Sequence, residues 1–141
     1  MSRRFDKSFA RIDKILSAKF TDLSKRMETI EYYRTYLAEQ LELPALVCGC
    51  EDFPWEEFYV MGPGDKQEYE MLKRTKASYT DILKMTSVAS ACHSYYGVFA
   101  RVTRISDNKK FKLPLADLKG IDKRSELALL IDDYLTWFFN Y

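Results

Sequence analysis

The sequence predicts an α+β domain: a small twisted antiparallel sheet or SH3-like barrel, with a helical segment before it and a helix closing it. Three patterns carry this. Apolar residues recur at helical spacing through the first 41 residues, the period shortens to alternating runs broken by turn residues from residue 43, and the last twenty return to a helical period. Runs of strand flanked by helices are the pattern of segregated α+β packing. The expected division is a helical segment over 1–41 and a sheet domain with its terminal helix over 42–141.

In the first segment Phe9, Leu16, Leu23, Ile30 and Leu37 fall every seven residues, and Phe5, Ile12, Met27 and Leu41 fill the stripe beside them. No proline or glycine interrupts before Pro44. An unbroken helix would reach about 55–60 Å at about 1.5 Å per residue, long for a single domain. A break is therefore expected, with Thr21 and Asp22 as the N-cap of a second helix and the two helices packed on the chain's own core. The alternative is one long helix pairing with a second copy, although Lys19, Arg26 and Arg34 interrupt the heptads that a coiled coil needs.

The sheet region begins with LPALVCGC, a short buried strand starting beside Pro44. PWEEFYVMG reads as a second strand anchored by Trp55, Phe58 and Val60, with EDF and Pro54 as the intervening turn. GPGD at 62–65 stops that run, and Asp65 is a natural N-cap for a short helix through Leu72. TDILKMTSVA and GVFARVTRIS alternate as further strands, and SDNKK turns the latter into FKLPL as a β-hairpin. Pro114 has no backbone donor, so it belongs at the end of a strand or on an edge. Asp117 follows where the chain leaves the sheet, a place where aspartate accepts from backbone amides. In the terminal helix Ser125 is the N-cap, Glu126 sits in the first turn, and Leu127, Leu130, Ile131, Tyr134, Leu135 and Phe138 form an apolar face widened by Trp137. Asp132 and Asp133 lie in mid-helix, where a buried carboxylate requires a partner: a lysine, an arginine or a cation.

Composition narrows the function classes. With 22 basic and 21 acidic residues the whole-molecule field attracts neither nucleic acid nor acidic membranes, so a charged partner must meet a local patch. The cluster Arg3, Arg4, Lys7, Arg11 and Lys14 is diluted by Asp6 and Asp13 and lacks the aromatic and basic interleaving that stacks single-stranded bases, which makes it a solvated helix face, and nucleic acid is not an expected partner of this chain. No apolar run reaches membrane-spanning length, and MSRRFDKSFA lacks a secretory core, so a cytoplasmic protein is expected. Three cysteines suit free thiols in a reducing compartment.

No P-loop, GxSxG or HExxH motif appears. Cys48, Cys50, Cys92 and His93 match a Cys₃His zinc site by count, though not by knuckle spacing, and also offer a thiol with a histidine base. A zinc protein or thiol-dependent enzyme is thus the alternative to a non-enzymatic binding domain. In the binding reading, aromatics around PWEEFY and SYYG at 94–97, or the N-terminal helices, would engage a protein partner or a second copy.

The stretch FKLPLADLKGIDKRSELALLIDDYLTWFFNY, with weaker support from LELPALV at 41–47, resembles the cyanobacterial calcium-binding protein family of the CcbP type. The resemblance rests on a strand ending in LPL, an acid, a short connector and a helix with an acid pair before Tyr and Trp. It implies a small sheet domain that binds Ca²⁺ through surface carboxylates, with Asp117, Asp122, Asp132 and Asp133 as the metal ligands. This chain departs from that family in its balanced charge: Lys109, Lys110, Lys112, Lys119, Lys123 and Arg124 crowd the same region, and no D-x-D-x-D-G loop supplies ligands locally.

Overall fold

The N-terminal stripe folds into two helices, α1 (Arg3–Leu16) and α2 (Met27–Gln40), in a computed structural model that describes residues 3–141, with side chains from Asp6 onward. Thr21 and Asp22 fall inside the break, and the second helix starts later than the cap expected there. Asp22 accepts from the Ser24 amide at 3.0 Å in a local turn, and the start of α2 is closed by Thr29, whose hydroxyl accepts from the Arg26 amide at 3.0 Å. Ile12 and Leu16 of α1 and Ile30, Tyr33 and Leu37 of α2 are buried in the same core as the sheet.

The sheet has five strands, β1 (Ala45–Gly49), β2 (Leu83–His93), β3 (Gly97–Arg104), β4 (Lys110–Pro114) and β5 (Leu118–Gly120), in the order β4-β3-β2-β1-β5 and antiparallel throughout. The SH3-like barrel does not form: the sheet is open, and among the described residues no ladder joins β4 to β5. Only a 3₁₀ turn, Leu115–Asp117, separates these two edges along the chain, so the sheet must curl enough to bring Pro114 and Leu118 within about 14 Å. Pro114 pairs with Phe99 at the end of an edge strand, where its missing donor costs no ladder bond.

One face of the curled sheet, with Val47, Leu83, Met85, Val98, Ala100 and Val102, is buried under the helices. The terminal helix α5 (Glu126–Asn140) starts at Ser125, whose hydroxyl accepts from the Ala128 amide at 3.1 Å. It lays Leu127, Ile131, Tyr134, Trp137 and Phe138 on that face, each such side chain contributing roughly 1.5–3 kcal/mol of burial. Trp137 Nε1 donates to the Leu23 carbonyl at 2.9 Å, and Lys25 donates to the Phe138 carbonyl at 2.9 Å, a cation at the negative end of α5. Gly97 sits at φ +74° in the β2–β3 hairpin, where a Cβ would collide with the Tyr134 hydroxyl and the Phe138 ring. No helix among the described residues is long and apolar enough to cross a membrane.

Residues 53–81 make an excursion between β1 and β2. The strand expected over PWEEFYVMG is absent: Pro54–Glu56 form a 3₁₀ turn and Glu57–Val60 a single helical turn, α3, with Phe58 and Val60 exposed. The reason is Glu56. Its fully buried carboxylate accepts from Tyr69 Oη and Ser78 Oγ, both at 2.6 Å, from the Tyr79 amide at 2.8 Å and from the Phe53 amide at 3.2 Å, a constellation that only a tight turn can close. Helix α4 (Lys66–Leu72) follows, capped by Asp65 as its sequence predicts. The buried Arg104 pins its far end by donating to the carbonyls of Lys73, Arg74 and Lys76 while pairing with Asp81 at 3.0 Å and Asp107 at 2.8 Å.

Candidate functional site

The four aspartates that the sequence nominates as ligands occupy different surroundings. Asp133 is buried, and both its oxygens are engaged: Arg11 donates to them at 2.6 and 2.9 Å, and Ser8 adds a bond at 2.9 Å. The Asp133 bond is also the main cause that holds the Arg11 guanidinium above its ordinary pKa. That arginine meets the requirement for a partner, leaving Asp133 few lone pairs for a metal. Asp132, one residue along and half-buried, lines a recess between α5 and β5 with Lys119 and Lys123, whose charges oppose a cation. Asp122 is occupied in the turn before α5, accepting from the Arg124 amide at 3.0 Å while its carbonyl accepts from Ser125.

Asp117 differs. It ends the 3₁₀ turn after β4, and its carbonyl, rather than the expected carboxylate, takes a backbone amide, that of Cys50 at 2.9 Å. That bond holds the loop after β1 against the 3₁₀ turn. The result is a recess of about 190 Å³ in which Glu51, Asp52, Glu57 and Asp117 gather beside Cys50, Leu135 and Phe139, with no basic residue in its lining. The Asp117 carboxyl is raised above its ordinary pKa, first by burial and then by the negative charge of Glu51. No described residue hydrogen-bonds or ion-pairs with it. Sequence reasoning reached Asp117 but missed Glu51, Asp52 and Glu57, having read their segment as turn and strand. The signal was there as acid density, four carboxylates within seven residues at 51–57.

The donor chemistry of this recess suits a hard cation, which prefers carboxylate oxygen. The arrangement is not a finished cage: among the described residues no three histidine, cysteine, aspartate or glutamate side chains are placed to hold a metal ion.

The cysteine and histidine set does not converge, contrary to the zinc or thiol alternative. Cys48 stands opposite Lys119 on β5, whereas Cys92 lies nine residues beyond Leu83, the partner of Val47, in the opposite direction along β2. Bulges shorten that path, since Leu83 pairs with Arg104 and Cys92 with Val98, and the separation is on the order of 20–25 Å at about 3.3 Å per residue. Burial raises the thiols of Cys50 and Cys92 to about 11, and Cys92 also donates to Glu31 at 3.0 Å, so neither is a ready thiolate.

Compared with known proteins, the chain matches no family model and no curated protein. Two solved structures share its architecture. Anabaena CcbP superposes with a TM-score of 0.62 at 16% identity, over 94% of this chain and 89% of that one. The fold is CcbP-like. A second structure, described as a calcium-binding protein in the calcium-binding form, superposes at 0.59 and 16% identity over 99% of this chain and 96% of the other. Identity this low establishes a shared fold and not membership of the family. Within the CcbP-like fold the resemblance of residues 111–141 therefore holds at the level of architecture.

Proposed function

We propose that this chain is a non-enzymatic binding domain that takes Ca²⁺ on the recess formed by Glu51, Asp52, Glu57 and Asp117. The observation that carries the reading is the lining itself: Glu51, Asp52 and Glu57 beside a half-buried Asp117, four carboxylates in one recess without a lysine or arginine. The description of two proteins of this fold as calcium-binding, or by the name CcbP, supports it. Calcium takes six to eight oxygens in flexible geometry, so Glu51 and Glu57, both exposed, can turn inward and water can complete the shell. Magnesium, which demands near-ideal octahedral geometry, suits such a site less. A site assembled from mobile side chains is weak, on the order of 10⁻⁴–10⁻³ M.

Backbone amide shifts during a Ca²⁺ titration test the reading. Residues 50–57 and 116–118 should move together and saturate, Asp117→Asn or Glu51→Gln should weaken the response at least fivefold, and Asp122→Asn should leave it unchanged. Because the Asp117 carboxyl is raised, protons compete for it, and the affinity should be lower at pH 5 than at pH 7. Shifts centred elsewhere, or a response indifferent to Asp117→Asn and Glu51→Gln, would overturn it.

A further inference from the structure

The sheet face turned away from the helices has a composition unlike the rest of the molecule. None of the five strands contains an aspartate or glutamate, although the chain carries 21 of them. On β2, β3 and β4 the outward positions hold Lys84, Arg101, Lys110 and Lys112, all exposed, around a shallow recess of about 840 Å³ without an acid in its lining. The register sets their spacing. Arg101 stands directly across from Lys112, and Lys84, Thr103 and Lys110 form the adjacent row across three strands. Neighbouring rows are about 7 Å apart and neighbouring strands about 5 Å, close to the spacing of successive phosphates along an extended strand.

Directly opposed like charges destabilise a sheet, and here no carboxylate relieves them: none of the four cations has an ion-pair partner among the described residues. The face therefore holds a charge pattern that its own fold does not balance. Aromatic surface continues from it. Phe99 is the next outward residue of β3 before Arg101, Lys112 lies 5.3 Å over its ring, and Tyr96, half exposed at the hairpin tip, packs 6.3 Å from it. Cations that track a backbone beside rings that stack bases are the two components of single-strand recognition. A duplex offers its phosphates but not its base faces, whereas a single strand offers both phosphates and rings to this face.

We propose that this sheet face binds single-stranded nucleic acid, with Arg101, Lys112, Lys110 and Lys84 on the phosphates and Phe99 and Tyr96 stacking against bases. The surface is separate from the acidic recess, so the two readings stand or fall independently. The near-neutral whole chain supplies no long-range attraction, which makes the local patch the source of affinity.

Fluorescence anisotropy with labelled twelve-residue oligo-dT and oligo-rU tests it, the two arms reporting which sugar is preferred. Saturable binding is expected, with log affinity falling against log salt at a slope of about −2 to −3 for three or four phosphate contacts. The double substitution Arg101→Ala with Lys112→Ala should weaken binding at least tenfold and flatten that slope. Tyr96→Ala should weaken it about fivefold or more with the slope unchanged, as loss of stacking would. Both sites are exposed, and Phe99→Leu gives a second test of the ring that conserves bulk. Lys66→Ala, on α4, should change nothing. The proposal is overturned by no binding at 50 mM salt, by equal binding of a duplex, of polyglutamate or of phosphatidylserine vesicles, or by insensitivity to the Arg101 and Lys112 substitutions.

Discussion

Replacing Glu56 by alanine removes the acceptor on which residues 53–79 close. Four donors lose their partner: the hydroxyls of Tyr69 and Ser78 and the amides of Tyr79 and Phe53. Ser78 can re-donate to Thr80, 2.9 Å away, and Tyr69 reaches water, so the lasting loss falls on the two amides and on the packing of the side chain. At about 1–3 kcal/mol per orphaned buried donor, the expected cost of Glu56→Ala is about 4 kcal/mol. Glu56→Gln behaves differently. Its amide oxygen still accepts from both backbone amides, and its nitrogen donates to the two hydroxyls once they turn. Charge assistance is lost, but a buried charge no longer has to be desolvated, and the net cost is about 1 kcal/mol. Urea unfolding followed by circular dichroism gives the two values, and hydrogen exchange at the Phe53 and Tyr79 amides locates the effect. If Glu56→Ala lies within 0.5 kcal/mol of the parent, roughly half the smallest cost assigned to one orphaned donor, or if the Gln and Ala variants unfold alike, the carboxylate is not the hub described here. Because Glu57 adjoins Glu56, Glu56→Ala should also blunt the Ca²⁺ response of the acidic recess.

Asp133→Asn should destabilise the packing of α1 on α5 by about 2 kcal/mol, the worth of one charge-assisted bond with Arg11 discounted for that side chain's 37% exposure, and amide exchange should rise first in α1. Asp107 is held down to about 2, chiefly by its bond to Arg104, against an ordinary 3.8. A depressed carboxylate binds fewer protons folded than unfolded, so its stabilisation is complete above about pH 4 and is lost as the pH falls through about 2. Melting temperatures from pH 5 to pH 2 should therefore fall less steeply in Asp107→Asn than in the parent, and parallel curves would remove Asp107 from the account.

Much of the architecture is written locally. The apolar stripes of α1, α2 and α5, the caps at Asp65 and Ser125, the β3–β4 hairpin and the edge position forced on Pro114 each depend on residues a few positions apart, where propensity and capping act. An apolar period alone did not separate strand from helix at PWEEFYVMG, because what bends that segment is a carboxylate whose partners lie at Tyr69, Ser78 and Tyr79. Distance along the chain likewise hid the pairing of Asp133 with Arg11, 122 residues away, which engages one expected ligand, and the bond from Cys50 to the Asp117 carbonyl, which draws Glu51 toward another. The open sheet with its acid-free outer face belongs to the same class: β1 to β4 are legible in the sequence and the three-residue β5 is not, and which cations share a face depends on register, which is set by ladder pairing and bulges across the whole sheet. Composition and period determined the long helices, β1 to β4 and which of their sides are oily; only the packing of remote segments decided the course of residues 53–81, which charges are paired and which remain available to a partner.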